Sequence, residues 1–432
     1  MTIGGIVLIA VFVLMFLRIP IVVSMAIPAC VGILALKSDR ALFTAIESIL
    51  WEHSYSYSLS TIPLFVLMGQ FLYVAEFSDE LFAAFRNWFG RLKGGLGIAS
   101  IGASAMFAAS SGSSLATTGT IGVVSSKEML KAGYAKSLTG GSIVAGGTLG
   151  ILIPPSTMFI IYGMITEQSI GKLLMAGIVP GILLTIFFML TIYISILIKP
   201  DLVKGQVNTT VSWKEKVQSL KANIWIILLF IFVMGGLYVG LFTATEAAGF
   251  GALGSFVIAL LRKKLTFANF SEAILSTVKT TGFIFAIVMG AFLLNFVLTI
   301  TRIPNLLADF LFSQDLSSTL IFMLIVFMYL VLGAIMDTMA MIVVTLPIIL
   351  PIVQKLEFDL VWFGVIIVLL VEMALISPPV GMNCFVLKGV VEELDLKSIF
   401  KGAFIFMVPI LALIGLLYIF PEIALFLPNY VQ

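Results

Sequence analysis

The chain has 432 residues, of which 61% are hydrophobic and only 11% charged, with a formal net charge of +2. Soluble domains run nearer a quarter charged, so this composition marks a polytopic helical membrane protein in a lipid bilayer, and the near-neutral balance argues against nucleic acid as a partner. Two cysteines, both in apolar segments, and a single histidine leave no disulfide framework and little material for a histidine- or thiolate-based metal site.

The first apolar run, Ile3–Leu17, has no basic flank and no small-residue cleavage site, and reads as a retained span. Ile21–Leu36 and Leu59–Ala75 follow as spans, giving scaffold spans over residues 1–76. "SDELFAAFRNWFGRLKGG" then sets Leu81, Phe82, Phe85, Trp88, Phe89 and Leu92 along one helical face, an interfacial arm over residues 78–93. Between Lys93 and Lys127 the chain is uncharged, too long for one span of about 20 residues and too short for two plus a turn. Its centre, "SSGSSLATTG", is unsuited to lipid, so residues 94–126 read as a re-entrant hairpin.

Ser137–Ile165 is long enough to span but carries Pro154 and Pro155 in its middle. Each proline removes an N–H and frees the carbonyl four residues back, here those of Gly150 and Ile151. The stretch is therefore a broken helix over residues 137–165, followed by the span Leu173–Ile198 and a polar linker over residues 199–221.

Beyond the linker lie Trp225–Val239, Glu246–Leu261 and Thr277–Ile300 as spans. A second hairpin over residues 317–354 is centred on "GAIMDT", a second broken helix over residues 360–390 carries Pro378 and Pro379, and Phe404–Phe420 is the last span. "MGQFL" at Met68–Leu72 recurs as "MGAFL" at Met289–Leu293, and "PPST" recurs as "PPVG". From Ser113 to Pro154, and from Asp337 to Pro378, is 41 residues in both cases. Residues 1–198 and 222–432 thus read as two repeats of about five crossings each; an odd number of crossings makes the second inverted, the plan of secondary transporters. With both termini on the outer side, all but about five of the 24 Lys and Arg face the cytoplasm, as the positive-inside rule asks.

Broken helices expose carbonyls that attract cations and N–H groups that attract anions. A lone proline kink or Gly/Ser patch more often serves close packing; two breaks, each matched to a polar hairpin tip at equal spacing, favour ion binding. Metal ligands are expected from Ser110, Gly112, Ser113, Gly147, Gly150, Gly333, Asp337, Thr338, Ser377 and Gly381, forming two sodium sites or more. Substrate contacts are expected from Ser111, Ser113, Ser156, Thr157, Asp337 and Asn383. Asp337, an intramembrane carboxylate, is the foremost side chain. Glu246 reads as an acidic first-turn residue, and Glu372 as a tuner of a cation site or the partner of a polar neighbour. His53 reads as a surface residue, and Trp51, Trp88, Trp213 and Trp362 as interfacial anchors. No G-x-x-x-x-G-K-[ST] stretch is present, so no nucleotide is expected.

"TIPLFVLMG" (Thr61–Gly69), "GLFTATEAAGFGA" (Gly240–Ala252) and "GTLGILIPPSTMFIIYG" (Gly147–Gly163) resemble the large membrane subunit of TRAP (tripartite ATP-independent periplasmic) transporters, the DctM-like family. Ala244 departs from the family's T-P-T-E-A-A turn. The resemblance implies an elevator-type architecture of the ion-transporter superfamily in the bacterial inner membrane. It implies sodium-coupled import of an organic acid, with sialic acid (N-acetylneuraminate) foremost and a C4-dicarboxylate next. It implies two partners as well, a periplasmic substrate-binding protein and a small four-helix membrane subunit on a separate chain. A stand-alone ion-coupled anion carrier or channel is the alternative. An intramembrane serine hydrolase using "SGSS" with His53 is a remoter one, lacking a G-x-S-x-G elbow.

Overall fold

The computed structural model describes residues 2–54, 57–205 and 211–430. Among them the one strand-type pairing is an isolated antiparallel bridge between Tyr134 and Val203; everything else regular is helix. The first half runs α1 (Thr2–Phe16), α2 (Ile21–Leu36), α3 (Asp39–Ser54), a short 3-10 turn into α4 (Thr61–Val74), and α5 (Ser78–Phe89). It continues with α6 (Gly95–Ser111), α7 (Ser114–Lys131), α8 (Lys136–Leu152), α9 (Thr157–Thr166) and α10 (Ile170–Ile198). The second half runs α11 (Trp213–Ala222), α12 (Ile224–Tyr238), α13 (Ala244–Leu261), α14 (Phe267–Thr301) and α15 (Ile303–Ser313). It ends with α16 (Ser318–Gly333), α17 (Thr338–Lys355), α18 (Leu360–Ile376), α19 (Met382–Val390), α20 (Leu396–Ile419) and α21 (Glu422–Tyr430).

Six helices are long and apolar enough to cross a membrane, rising to eight if each bent pair is one span, among the described residues. The expected spans at α1 and α2 are helices of only 15 and 16 residues, about 22–24 Å long, and must draw on flanking residues to cover a hydrocarbon core of about 30 Å. The expected Thr277–Ile300 span starts a full ten residues earlier, at Phe267. The linker is not irregular throughout. Ser212 and Glu215 form a reciprocal capping box that starts α11, and Ala135 N–H reaches Leu202 O at 2.8 Å. The His53 side chain lies outside the described set.

The helices fall into two packed groups. In the scaffold, α4 packs against α13 and α14, α2 against α14, and α1 against α2. The Thr61 and Thr245 hydroxyls meet at 2.7 Å where α4 and α13 begin, so two of the family-like motifs close on one another. Glu246 is structural, as expected: its carboxylate accepts the Thr243 N–H at 2.8 Å in a capping box. That box fixes the turn although Ala244 stands where a proline was expected.

The core group joins α6, α7, α8, α10, α18 and α20, with α8 at its centre. α8 crosses α20 backbone to backbone, with Gly141 against Gly402. The Asp395 carboxylate caps α20, accepting the Ser398 N–H at 2.9 Å and the hydroxyl at 2.8 Å, and these bonds hold it below the usual carboxylate range.

Short amphipathic helices link the groups. α5 buries Leu81, Phe82 and Ala84 against α6 and α7. Its charged side pairs Arg86 with Glu128 of α7 at 3.2 Å and Glu80 with Arg262, and in the turn just before it Glu76 pairs with Lys264 at 2.5 Å. α15 is its counterpart, tied to α17 by the Asp309–Lys355 pair; the sequence reading had no helix there. Trp362, expected as an interfacial anchor, is instead buried, donating to Leu417 O at 2.8 Å between α18 and α20.

Candidate functional site

The Ser/Gly-rich tip becomes a tight reversal because α6 ends on Gly112, at φ +59, and Ser113 caps α7 by accepting the Ala116 N–H at 3.3 Å. The tip is internally braced. Ser111 and Thr117 hydroxyls meet at 2.9 Å, Thr117 donates to Ser113 O at 2.8 Å, and Ser110 donates to Phe107 O at 2.7 Å. Outward from the tip, Ser114 donates to Thr148 O of α8 at 3.2 Å.

This tip lies directly on the first break. A methyl group at Gly112 would come within 2.7 Å of Pro155 O, and one at Gly150 within 2.6 Å of Ser113 O and 2.8 Å of Ser114 N. Only a bare backbone on both sides permits that approach. The second break has an analogous neighbour, since Gly333, at the end of α16, faces Ala374 of α18. Both Pro-Pro bonds, 154–155 and 378–379, are cis.

The freed carbonyls are not all left open. Ser156, fully buried, donates to Ile151 O at 2.5 Å and accepts the Phe159 N–H at 3.3 Å, capping α9. Ser377 turns its N–H and its hydroxyl to Ala374 O, both at 3.3 Å. Each break thus carries one serine that staples one of its two freed carbonyls. Gly150 and Leu375 carbonyls keep no such donor among the described residues. The staple was missed in the sequence, although "PPS" placed a cap residue immediately after one doublet and "SPP" immediately before the other.

Asp337 caps α17, its Oδ1 accepting the Met339 N–H at 2.9 Å. Thr338 follows it in the first helical turn and is buried. Thr157 opens α9, half-buried. Gly381, at φ +41, opens α19. Asn383, expected on the substrate, is fully buried, its amide donating to Val144 O of α8 at 3.3 Å while its Oδ1 has no partner among the described residues. Gly147 likewise faces Thr118 and Asn383 rather than a break. Glu372 is fully buried with both carboxylate oxygens unpartnered among the described residues, so the expected polar neighbour is missing.

The two broken helices lie side by side and antiparallel. Tyr162 of α9 donates to Leu360 O at the start of α18, at 2.6 Å, while Asn383 of α19 reaches back to Val144 near the middle of α8. The early part of one therefore meets the late part of the other. Each break joins a carbonyl-bearing helix end to an N–H-bearing helix start, the first beside the tip at Gly112 and the second beside the end of α16 at Gly333. Such ends hold about half a charge each, positive at the N-terminus and negative at the C-terminus. No Lys or Arg lies in either break. A cavity of about 790 Å³ lies elsewhere, between the scaffold and α9–α10, lined by Glu52, Thr61, Gln168, Lys172, Thr245 and Asn295 among others.

Comparison with known proteins agrees with this architecture. Residues 8–423 match the family described as tripartite ATP-independent periplasmic transporter, DctM component. The chain is 34% identical over 408 residues to the C4-dicarboxylate TRAP transporter large permease protein DctM of Pseudomonas aeruginosa, covering 94% of both chains. It is 30% identical to the sialic acid TRAP transporter large permease protein SiaM of Vibrio cholerae, over 87% of each. A relative from Oleidesulfovibrio alaskensis, the isethionate TRAP transporter permease protein DctMQ, is 31% identical over 86% of this chain and 58% of its own. The crystal structure of the Alcanivorax borkumensis YdaH transporter superposes with a TM-score of 0.64 over 90% of this chain and 91% of that one, at 13% identity, a likeness of fold alone. These relatives are named as transporter permeases, not enzymes. The chain belongs to the DctM family, the large membrane permease subunits of TRAP transporters.

Proposed function

We propose that this subunit imports an organic acid across the bacterial inner membrane, driven by sodium, by an elevator movement of the α8-centred core against the α4–α13–α14 scaffold. The observation that carries the reading is the antiparallel pair of broken helices, each with an unstapled carbonyl beside a hairpin tip. Gly150 O with the tip residues Ser110, Gly112 and Ser113 would take one sodium ion. Leu375 O with Gly333, Asp337, Thr338, Ser377 and Gly381 would take a second. The anionic substrate would lie between them against the helix starts at Thr157 and Gly381, near Ser111, with no lysine or arginine needed.

Energetics permit this. Two sodium ions crossing roughly 150 mV release about 7 kcal/mol, and a monovalent anion carried along returns about half of that. The ion pairs on and just before α5, the Asn223 contact to Glu80 O and the Ala135 contact to Leu202 O gather residues 76–93, 127–136, 199–205, 211–223 and 262–264 on one face. Those segments hold most of the basic residues, which supports a cytoplasmic placement for that face and periplasmic termini. Partners would be a periplasmic substrate-binding protein and a small membrane subunit on its own chain. Relatives named for C4-dicarboxylates and for sialic acid make these the two acids to test first.

The test is uptake into proteoliposomes with an imposed sodium gradient. Accumulation of one of these acids is expected only with sodium, the binding protein and the small subunit together. Uptake by this chain alone would favour a stand-alone carrier, and sodium-independent uptake would end the reading.

A further inference from the structure

The two bonds that cross between the broken helices differ in kind. Tyr162 ties a side chain to the first residue of α18, at the edge of the core. Asn383 does so within the core: it sits in the first turn of α19, is fully buried, and donates Nδ2 to Val144 O, one turn before Gly147 and two before Gly150. A methyl group at Gly147 would overlap Thr118 Oγ1 and lie 3.3 Å from Asn383 Nδ2, so Thr118 and Asn383 flank the same bare stretch of α8. Thr118 Oγ1 and Asn383 Oδ1 are both buried and without a partner among the described residues.

An amide in an apolar core is costly unless its groups are paired. This one is only half paired, and a rotatable hydroxyl stands close by. That combination allows an exchange of partners between amide and hydroxyl, and a coupling element requires two such discrete arrangements. One end of the contact belongs to the half-helix that starts at the second break. The other belongs to the helix whose end forms the first break, and to the hairpin lying on that break.

We propose that Asn383 is a positioning residue that couples the two breaks, so that a cation at one presets the backbone of the other. It touches neither the substrate nor an ion. This inference rests on the sodium reading above. Coupling between sites shows as cooperativity, and its removal leaves the sites present but independent.

The experiment is equilibrium binding of radioactive sodium to the purified full-length chain. The wild-type chain is expected to bind with a Hill coefficient of about 2, and Asn383→Ala with a coefficient of about 1 and the same number of ions bound. Tyr162→Phe, which breaks the other crossing, should lower the melting temperature and leave the coefficient at about 2. Asn383→Ser serves if the alanine variant does not elute as a folded, monodisperse protein. An unchanged coefficient in either folded Asn383 variant overturns the inference, as does the loss of one bound ion, which would make Asn383 a ligand. A wild-type chain that binds sodium without cooperativity overturns it too. A wild-type chain that binds no sodium overturns the sodium reading itself.

Discussion

Gly150→Ala tests the junction between hairpin and break at its narrowest point. The new methyl would stand 2.6 Å from Ser113 O, 2.7 Å from Ser113 C and 2.8 Å from Ser114 N, where ordinary contact begins at 3.4 Å. All three atoms are backbone, so no rotamer change relieves the clash and the tip must move by several tenths of an ångström. Overpacking of this kind costs about 1–3 kcal/mol. Alanine returns up to about 1 kcal/mol of helix propensity at this position in α8. The net penalty of about 1–2 kcal/mol falls on the arrangement in which tip and break face a common ion, and so lowers sodium affinity by about 5–30-fold. Gly249→Ala is the control, because nothing lies within 4 Å of its added methyl; it should be neutral or slightly stabilising. Sodium titration of uptake in proteoliposomes, with thermal melts in parallel, reads both. A Gly150→Ala protein with wild-type half-saturation for sodium refutes the claim that tip and break share an ion.

Asp337→Asn should cut sodium-driven uptake at least about tenfold while expression and melting temperature hold, because asparagine still caps α17; normal uptake would remove the carboxylate from the site. Ser156→Ala removes both a helix cap and the staple on Ile151 O and should lower stability by about 1–3 kcal/mol. Its effect should show first in the thermal melt, and a wild-type melt with a raised substrate KM would restore the serine to direct substrate contact. Replacing Pro154 and Pro155 together with alanine should restore helical bonding to Gly150 and Ile151 and uncouple uptake from sodium. Unchanged sodium dependence would show that the break is dispensable.

The turns between α6 and α7 and between α16 and α17, and both helix breaks, were legible in the sequence because each violates the rule for an apolar helix. Polar glycine-rich turns and proline doublets have no place in a lipid-facing helix. Span ends were less legible: α14 begins at Phe267 because Thr266 caps it by accepting the Asn269 N–H, so Glu272 and Lys279 lie on the helix ahead of its apolar stretch. α15 was hidden by its proximity to the long helix before it; only Arg302, at φ +55, separates the two. Trp362 misled because tryptophan serves equally at an interface and in a core where its N–H finds a carbonyl. At the site, residue identity announced polar chemistry but not its direction. Ser156, Ser377 and Asn383 all spend donors on the protein's own carbonyls, and nothing in a one-dimensional string separates a ligand from a strut.

The crossing of α8 and α20 has a consequence for how this fold can vary. A methyl at Gly141 would lie 2.5 Å from the carbonyl carbon of Gly402, and one at Gly402 would strike the Ser137 carbonyl. Glycine already occupies both sides, so neither residue has a smaller replacement with which to absorb a change in the other. Drift at this junction has no compensating partner, and its toll falls on the main chain itself. α8 and α20, one from each half of the polypeptide, are in effect welded there, with no room for one to slide along the other.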